Sequence, residues 1–276
     1  MTAHTVPGIQ EKSEAKPLKN VDRVTIPVFR ELKHSSRKIS VLTAYDFPSA
    51  KLADEAGMDA VLVGDSLANV VQGRTTTLPV TLEQMIYHAQ MVRRAVKRAL
   101  IVVDMPFPTC QLGPKTAIES AARVLQETEV DAVKIEGGKN RAETIRAVVE
   151  AGIPVFGHCG LLPQNIKMTG GYKIQRDGKQ LLEDVLAVEQ AGAFAVVLEL
   201  IPDDLAKELT AATSIPTIGI GAGKHCDGQV LVFHDVLGFS DRPAPKHVKS
   251  YAKLYQIAVE ALRQYRDDVE TGKFPE

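Results

Sequence analysis

The sequence predicts an α/β chain closed into a (β/α)8 TIM barrel with a short N-terminal helical plug, and three observations carry that prediction. Eight short apolar runs, at roughly residues 39–44, 60–64, 100–103, 132–135, 153–156, 195–198, 215–219 and 230–233, alternate with stretches of helical spacing. The dipeptides Ala56-Gly57, Ala151-Gly152 and Ala191-Gly192 each end a helix and lead into an apolar run, so one α-to-β joint recurs along the chain. Polar residues end the runs: DAVLVGDS in Asp65 and Ser66, LIVVDMP in Asp104, DAVKIEGG in Glu136, IPVFGH in His158 and AFAVVLEL in Glu199. A barrel of this kind needs about 250 residues and keeps its chemistry at the C-terminal ends of its strands. A chain of 276 residues therefore fits one large domain.

Composition narrows the class of partner. With 24% charged residues and a formal net charge of -1, the chain offers no electrostatic reason to bind nucleic acid or an anionic membrane. Cys110, Cys159 and Cys226 are isolated, without the spacing of a disulfide framework or a zinc site, which fits a reduced, cytoplasmic setting. The first twenty residues hold no apolar core of signal-peptide length, and no apolar run elsewhere approaches the length that spans a bilayer. Residues 1–23 read as a polar, weakly ordered tail, and residues 24–276 as a single catalytic barrel domain that includes a C-terminal helix.

Val24 to Lys33 (VTIPVFRELK) has the amphipathic character of a plug over one end of the barrel. The first strand follows and ends in Tyr45 and Asp46. Pro48 at a first helical position and Gly57 after a last turn bracket a short helix over Ser49 to Ala56. Thr81 and Gln84 make a capping box for a helix carrying Leu82, Met85, Ile86, Ala89, Val92 and Val96 along one side. Asn140 and Glu143 have the spacing to do the same for the helix ending near Ala151. The C-terminal segment keeps helical spacing through Tyr251, Leu254, Tyr255, Ala258, Leu262 and Tyr265, so it is expected outside the barrel or against a neighbouring subunit.

Strand ends in a barrel converge on one mouth, which makes Asp65, Asp104 and Glu136 an acidic cluster. Like charges that close repel unless a cation sits among them, and oxygen ligands without histidine or thiolate favour a hard ion such as Mg²⁺. Lys134 interrupts an apolar strand and, by alternation, points to the same side as Glu136. A buried ammonium needs an anion, either Glu136 in a structural pair or the carboxylate or enolate of a substrate. His158 closes its strand as a structural or a catalytic residue. Glu199 leaves an apolar wall, which would raise its pKa towards that of a general base, a role preferred to metal ligation. GIGAG, Gly219 to Gly223, suits either a phosphate site or a tight turn, and Asp227-Gly228-Gln229 reads as a turn leading into the last strand.

TAYD at 43–46, VGDS at 63–66, TLPVT at 77–81, VDMPF at 103–107, KIEGG at 134–138, GH-x-GL at 157–161, GIGAG and CDGQVLV together resemble the ketopantoate (3-methyl-2-oxobutanoate) hydroxymethyltransferase family, from about Val24 to the C-terminus. The resemblance implies a Mg²⁺-binding barrel that joins a one-carbon unit from 5,10-methylenetetrahydrofolate to 3-methyl-2-oxobutanoate, giving 2-dehydropantoate in pantothenate synthesis. It puts metal ligation on Asp65, Asp104 and Glu136, 2-oxo acid binding on Asp65, Ser66, Asp104 and Lys134, and proton abstraction on Glu199; the residues' own chemistry, not the resemblance, makes His158 the candidate helper in stabilising the enolate. It also implies a homo-oligomer, commonly a decamer, and assigns no folate contacts. Leu162 and Arg176-Asp177 depart from the family pattern in loops, and Gly170-Gly171-Tyr172-Lys173 is the candidate lid. Two alternatives stay open. One is a Mg²⁺-dependent 2-oxo acid lyase or mutase of the phosphoenolpyruvate mutase and isocitrate lyase type, whose KKCGH-like cysteine motif this chain lacks. The other is a non-catalytic barrel that binds a metabolite.

Overall fold

A computed structural model describes residues 22–240 and 245–275, so most of the expected N-terminal tail lies outside the described residues. Eight parallel strands close into a barrel in sequence order, the last paired with the first. They are β1 (Ile39–Thr43), β2 (Ala60–Val63), β3 (Leu100–Asp104), β4 (Ala132–Glu136), β5 (Val155–Gly160), β6 (Ala195–Glu199), β7 (Thr217–Ile220) and β8 (Gly228–Leu231). The helices are α1 (Ile26–Glu31), α2 (Phe47–Glu55), α3 (Leu67–Val70), α4 (Leu82–Ala95), α5 (Pro114–Thr128), α6 (Ala142–Glu150), α7 (Ile166–Thr169), α8 (Gly178–Gln190), α9 (Asp203–Ala212), α10 (Phe233–Leu237) and α11 (Leu254–Glu270).

Strand alternation divides the core in two. Val61, Val63, Ile101, Val103, Val133 and Ile135 face outward and pack under the helices, against residues such as Met85, Ala89, Val124 and Val148. Val41, Leu62, Leu100, Val102, Ala132, Val197 and Ile218 fill the barrel interior. The N-terminal end is closed by the plug. Phe29 on α1 is fully buried and meets Phe156 and Phe194 edge-on, each with ring centroids 5.9 Å away. Its backbone is seated by the bond from Val24 N to Arg98 O at 2.7 Å. With one end filled by apolar side chains, only the C-terminal mouth is left for polar groups.

The capping box of Thr81 and Gln84 forms as expected. That of Asn140 and Glu143 does not: a 3-10 turn leads into α6, and the Asp184 carboxylate on α8 takes the Lys139 N–H at 2.7 Å instead. β5 runs on to Gly160, which places His158 inside the strand, and β8 starts at Gly228, so Gly228 and Gln229 are strand residues. Glycine is required at 228, because a Cβ there would lie 2.5 Å from Ile39 O on β1. Asp227 is a fastener as well as a turn residue: it accepts from Thr217 N at 2.9 Å and pairs with Lys33 at 2.7 Å. α11 has no buried residue in the single chain and exposes Ile257, Leu262 and Tyr265. No helix among the described residues is long and apolar enough to cross a membrane.

Candidate active site

Register brings the polar strand ends together. Asp104 is paired with Lys134 across β3 and β4, Glu136 with His158 across β4 and β5, and Gly160 with Glu199 across β5 and β6. Neighbours in a parallel sheet point the same way, so these side chains share the interior face. Asp65 and Ser66 reach the same mouth from the turn after β2. All seven residues singled out in the sequence line one cavity of about 510 Å³.

Within it the contacts form a chain. Lys134 Nζ lies 2.9 Å from Asp104 Oδ1, an ion pair that is not aligned as a hydrogen bond. The partner of Lys134 is thus Asp104, not the Glu136 considered from the sequence. Lys134 Nζ also donates to His158 Nδ1 at 2.9 Å, and His158 Nε2 faces Glu199 Oε2 at 3.0 Å without good alignment. Asp104 Oδ2 accepts the Asp65 N–H at 3.0 Å. The hydroxyls of Tyr45 and Ser66 are 2.8 Å apart.

Burial and mutual repulsion set the charges. Burial, followed by the Asp104 charge, pushes the Asp65 carboxyl up to about 7. Burial and the Asp65 charge hold Glu136 well above the ordinary carboxylate range. For Lys134 burial opposes the charge, but the carboxylates of Asp104, Glu136 and Asp65 outweigh it and raise the pKa. Burial and the Lys134 charge push His158 well below its usual value, so the ring is neutral at neutral pH. Burial pushes Glu199 up to about 7, with the Lys134 and His247 charges opposing.

The most informative residue missed in the sequence is Gln164. Its amide nitrogen donates to Asp65 Oδ2 at 3.1 Å and to Met105 O at 2.9 Å, its oxygen accepts from Gln111 at 2.8 Å, and its backbone N–H donates to Glu136 Oε2 at 3.1 Å. One buried side chain and its own backbone therefore orient two carboxylates. The signal is the polar glutamine closing GHCGLLPQ, residues 157–164, a stretch in which His158 and Leu162 draw the reading. Thr43, Asn69, Tyr172, Asp235 and His247 also line the cavity. Leu162 and Arg176 do not; Arg176 borders a shallow groove with Asp204 and Glu208. GIGAG forms a tight turn, with Leu200 and His247 packed on Gly221 and Asp203 on Gly223.

Three buried carboxylates beside one ammonium leave negative charge in excess, which suits a cation. Yet among the described residues no three acidic, histidine or cysteine side chains are gathered as a metal cage. Gln164 N holds Glu136, and both Asp104 oxygens already face Lys134 and the Asp65 N–H. This donor set still fits Mg²⁺, which binds through one or two carboxylates and takes its other ligands from substrate and water.

Solved structures share the architecture. A 2,3-dimethylmalate lyase superposes with a TM-score of 0.60 at 19% identity, covering 91% of this chain and 90% of that one. A phosphoenolpyruvate phosphomutase from Streptomyces platensis subsp. rosaceus gives 0.61 at 16% identity, covering 90% and 88%. At such identities the likeness concerns the fold. Sequence relatives are more specific. The chain is 53% identical over 256 residues to a 3-methyl-2-oxobutanoate hydroxymethyltransferase of Trichlorobacter lovleyi, covering 92% of this chain and 96% of the relative. It is 50% identical over 258 residues to the one from Moorella thermoacetica, with the same coverage. The family model described as ketopantoate hydroxymethyltransferase matches residues 23–276, and with it the acid cluster, the Lys134–His158–Glu199 chain and Gln164 all lie inside the matched region: the chain belongs to the ketopantoate hydroxymethyltransferase family.

Proposed function

We propose that this barrel transfers a hydroxymethyl group from 5,10-methylenetetrahydrofolate to 3-methyl-2-oxobutanoate, with Mg²⁺ at the acid cluster and Glu199 as the base. The observation that carries the reading is the placement of Glu199. It is a carboxylate at the end of an apolar wall, pushed up to about 7, and 3.0 Å from a neutral histidine that Lys134 holds through its other nitrogen. A group with a pKa near the working pH is suited to abstract a carbon-bound proton.

Asp65 and Asp104 would hold the cation, with Glu136 supporting it from the side. When bound, the cation acts as a Lewis acid on the carboxylate and 2-oxo oxygens of the substrate. Ser66 and Lys134 supply a hydroxyl and a fixed positive charge for the same oxygens. Glu199 takes the C3 proton, and Lys134 stabilises the negative charge that develops on the 2-oxo oxygen. His158 Nε2, 3.0 Å from Glu199, would donate to the carboxylate once it ionises and the pair aligns. The C3 carbon bonds to the methylene carbon as that carbon's two bonds to the folate nitrogens break, one replaced by the new C–C bond and the other by the hydroxyl of water. The protons from C3 and from water end on the two nitrogens of the departing tetrahydrofolate. Tyr172, on the loop beside the mouth, is placed to help exclude bulk water.

The test is product formation. Purified protein incubated with 3-methyl-2-oxobutanoate, methylenetetrahydrofolate and Mg²⁺ should yield 2-dehydropantoate by mass spectrometry, and chelation should stop it. Binding of the acid with no turnover under any metal would favour a metabolite-binding barrel instead.

A further inference from the structure

We propose that Asp235 anchors the co-substrate: its carboxylate receives the paired N–H donors on the pterin edge of the folate, and the ring lies between Leu200, Ile220, Val232 and the imidazole of His247. This rests on the reading that the one-carbon donor is a folate. It adds a binding site on the part of the cavity wall that follows β6, β7 and β8.

The cavity wall has two chemically different parts. A small branched 2-oxo acid at Lys134 and Ser66 fills only part of about 510 Å³. What remains is walled by apolar side chains, which suit the faces of a flat fused ring. Asp235 opens into that part from α10, directly after β8. Its backbone is fastened at both ends: its N–H donates to Val232 O at 3.0 Å, and its carbonyl accepts from Ser250 Oγ at 2.7 Å. Its side chain makes no hydrogen bond or ion pair with another described residue.

A rigidly mounted, half-buried carboxylate with no partner among the described residues is costly unless a ligand completes it. Burial raises its carboxyl above the ordinary range, with the His247 charge opposing. The charged and titratable groups around it are Tyr45, which feels its field, and His247. Among the described residues neither Lys134 nor any arginine is paired with it, and the partner is assigned to a hydrogen-bond donor on the ligand. A pterin has one edge with a ring amide N–H beside an exocyclic amine, two parallel donors that match the two oxygens of a carboxylate. This is the same two-pronged logic by which a guanidinium is recognised. His247 also bears on Glu199, so Asp235 and the base flank one open space, where donor and acceptor must meet.

Equilibrium titrations with tetrahydrofolate, which carries no transferable carbon, test the site apart from catalysis. Asp235→Asn should raise its Kd at least tenfold, while the Kd of 3-methyl-2-oxobutanoate with Mg²⁺ changes less than twofold and so reports an intact fold. An analogue lacking the 2-amino group should bind the unaltered protein about as weakly as tetrahydrofolate binds the variant. Equal tetrahydrofolate affinity in variant and unaltered protein would overturn the proposal and leave the folate reading intact. An unaltered protein that binds the 2-oxo acid but no tetrahydrofolate would overturn both.

Discussion

Lys134 Nζ lies 2.9 Å from Nδ1 of His158, and this contact decides which nitrogen of the ring carries the proton. An ammonium has no lone pair to offer, so Nδ1 accepts and the proton sits on Nε2, the atom 3.0 Å from Glu199. A neutral imidazole N–H there favours the ionised carboxylate. Activity should therefore rise with pH through about 7 as Glu199 loses its proton. His158→Phe should move that acidic limb to higher pH and lower kcat by about tenfold to a hundredfold. A pH–rate profile of the two proteins checks it; an unmoved limb would assign His158 a structural role.

The same charges make stability depend on pH and metal. Asp65 and Glu136 have folded pKa values raised above those of an unfolded chain. Their contribution is fully present below the ordinary carboxylate range and is lost as pH rises, for Asp65 through about 7. A cation that binds only the folded site offsets this loss. Thermal unfolding should show Mg²⁺ raising Tm more at pH 8 than at pH 6, and the difference should shrink in Asp65→Asn.

Gln164 joins two of the three carboxylates, and its own amide is spent on Asp65 and Met105. Gln164→Leu keeps the bulk but leaves Asp65 Oδ2 without that donor. Removing an outer-shell partner of a metal ligand costs about 10–100-fold in metal affinity or activity. Mg²⁺ titration of the rate should show a higher half-saturation, with Gln164→Glu no better than leucine because it adds charge to an acidic site.

At the other end of the barrel, Phe29 should matter for stability alone. It is fully buried against Phe156 and Phe194, far along the barrel from the mouth. Phe29→Ala should cost about 3–5 kcal/mol in denaturant unfolding. Substrate affinity of the folded fraction should be unchanged.

Barrel, plug and mouth were legible because strand alternation, recurring Ala-Gly joints and polar strand ends are local signals. Asp65, Asp104, Lys134, Glu136 and Glu199 each announced themselves by breaking an apolar run. Register was not legible, and it is what gave Lys134 to Asp104 rather than Glu136. Gln164 escaped because it sits in a loop whose bonds reach back to residues as distant as Asp65. Asp235 escaped for a related reason: His-Asp after the last strand looks like an ordinary helix start until the cavity shows where it opens. The failed Asn140–Glu143 box has the same origin, a competing side chain, Asp184, from another helix.

The most direct test of the account is exchange of the C3 proton of 3-methyl-2-oxobutanoate with D₂O, followed by proton NMR with no folate present. Mg²⁺-dependent loss of the C3 signal is expected with the unaltered protein and none with Glu199→Gln. Exchange that persists in Glu199→Gln, or that is absent from unaltered protein shown to make 2-dehydropantoate, would contradict it.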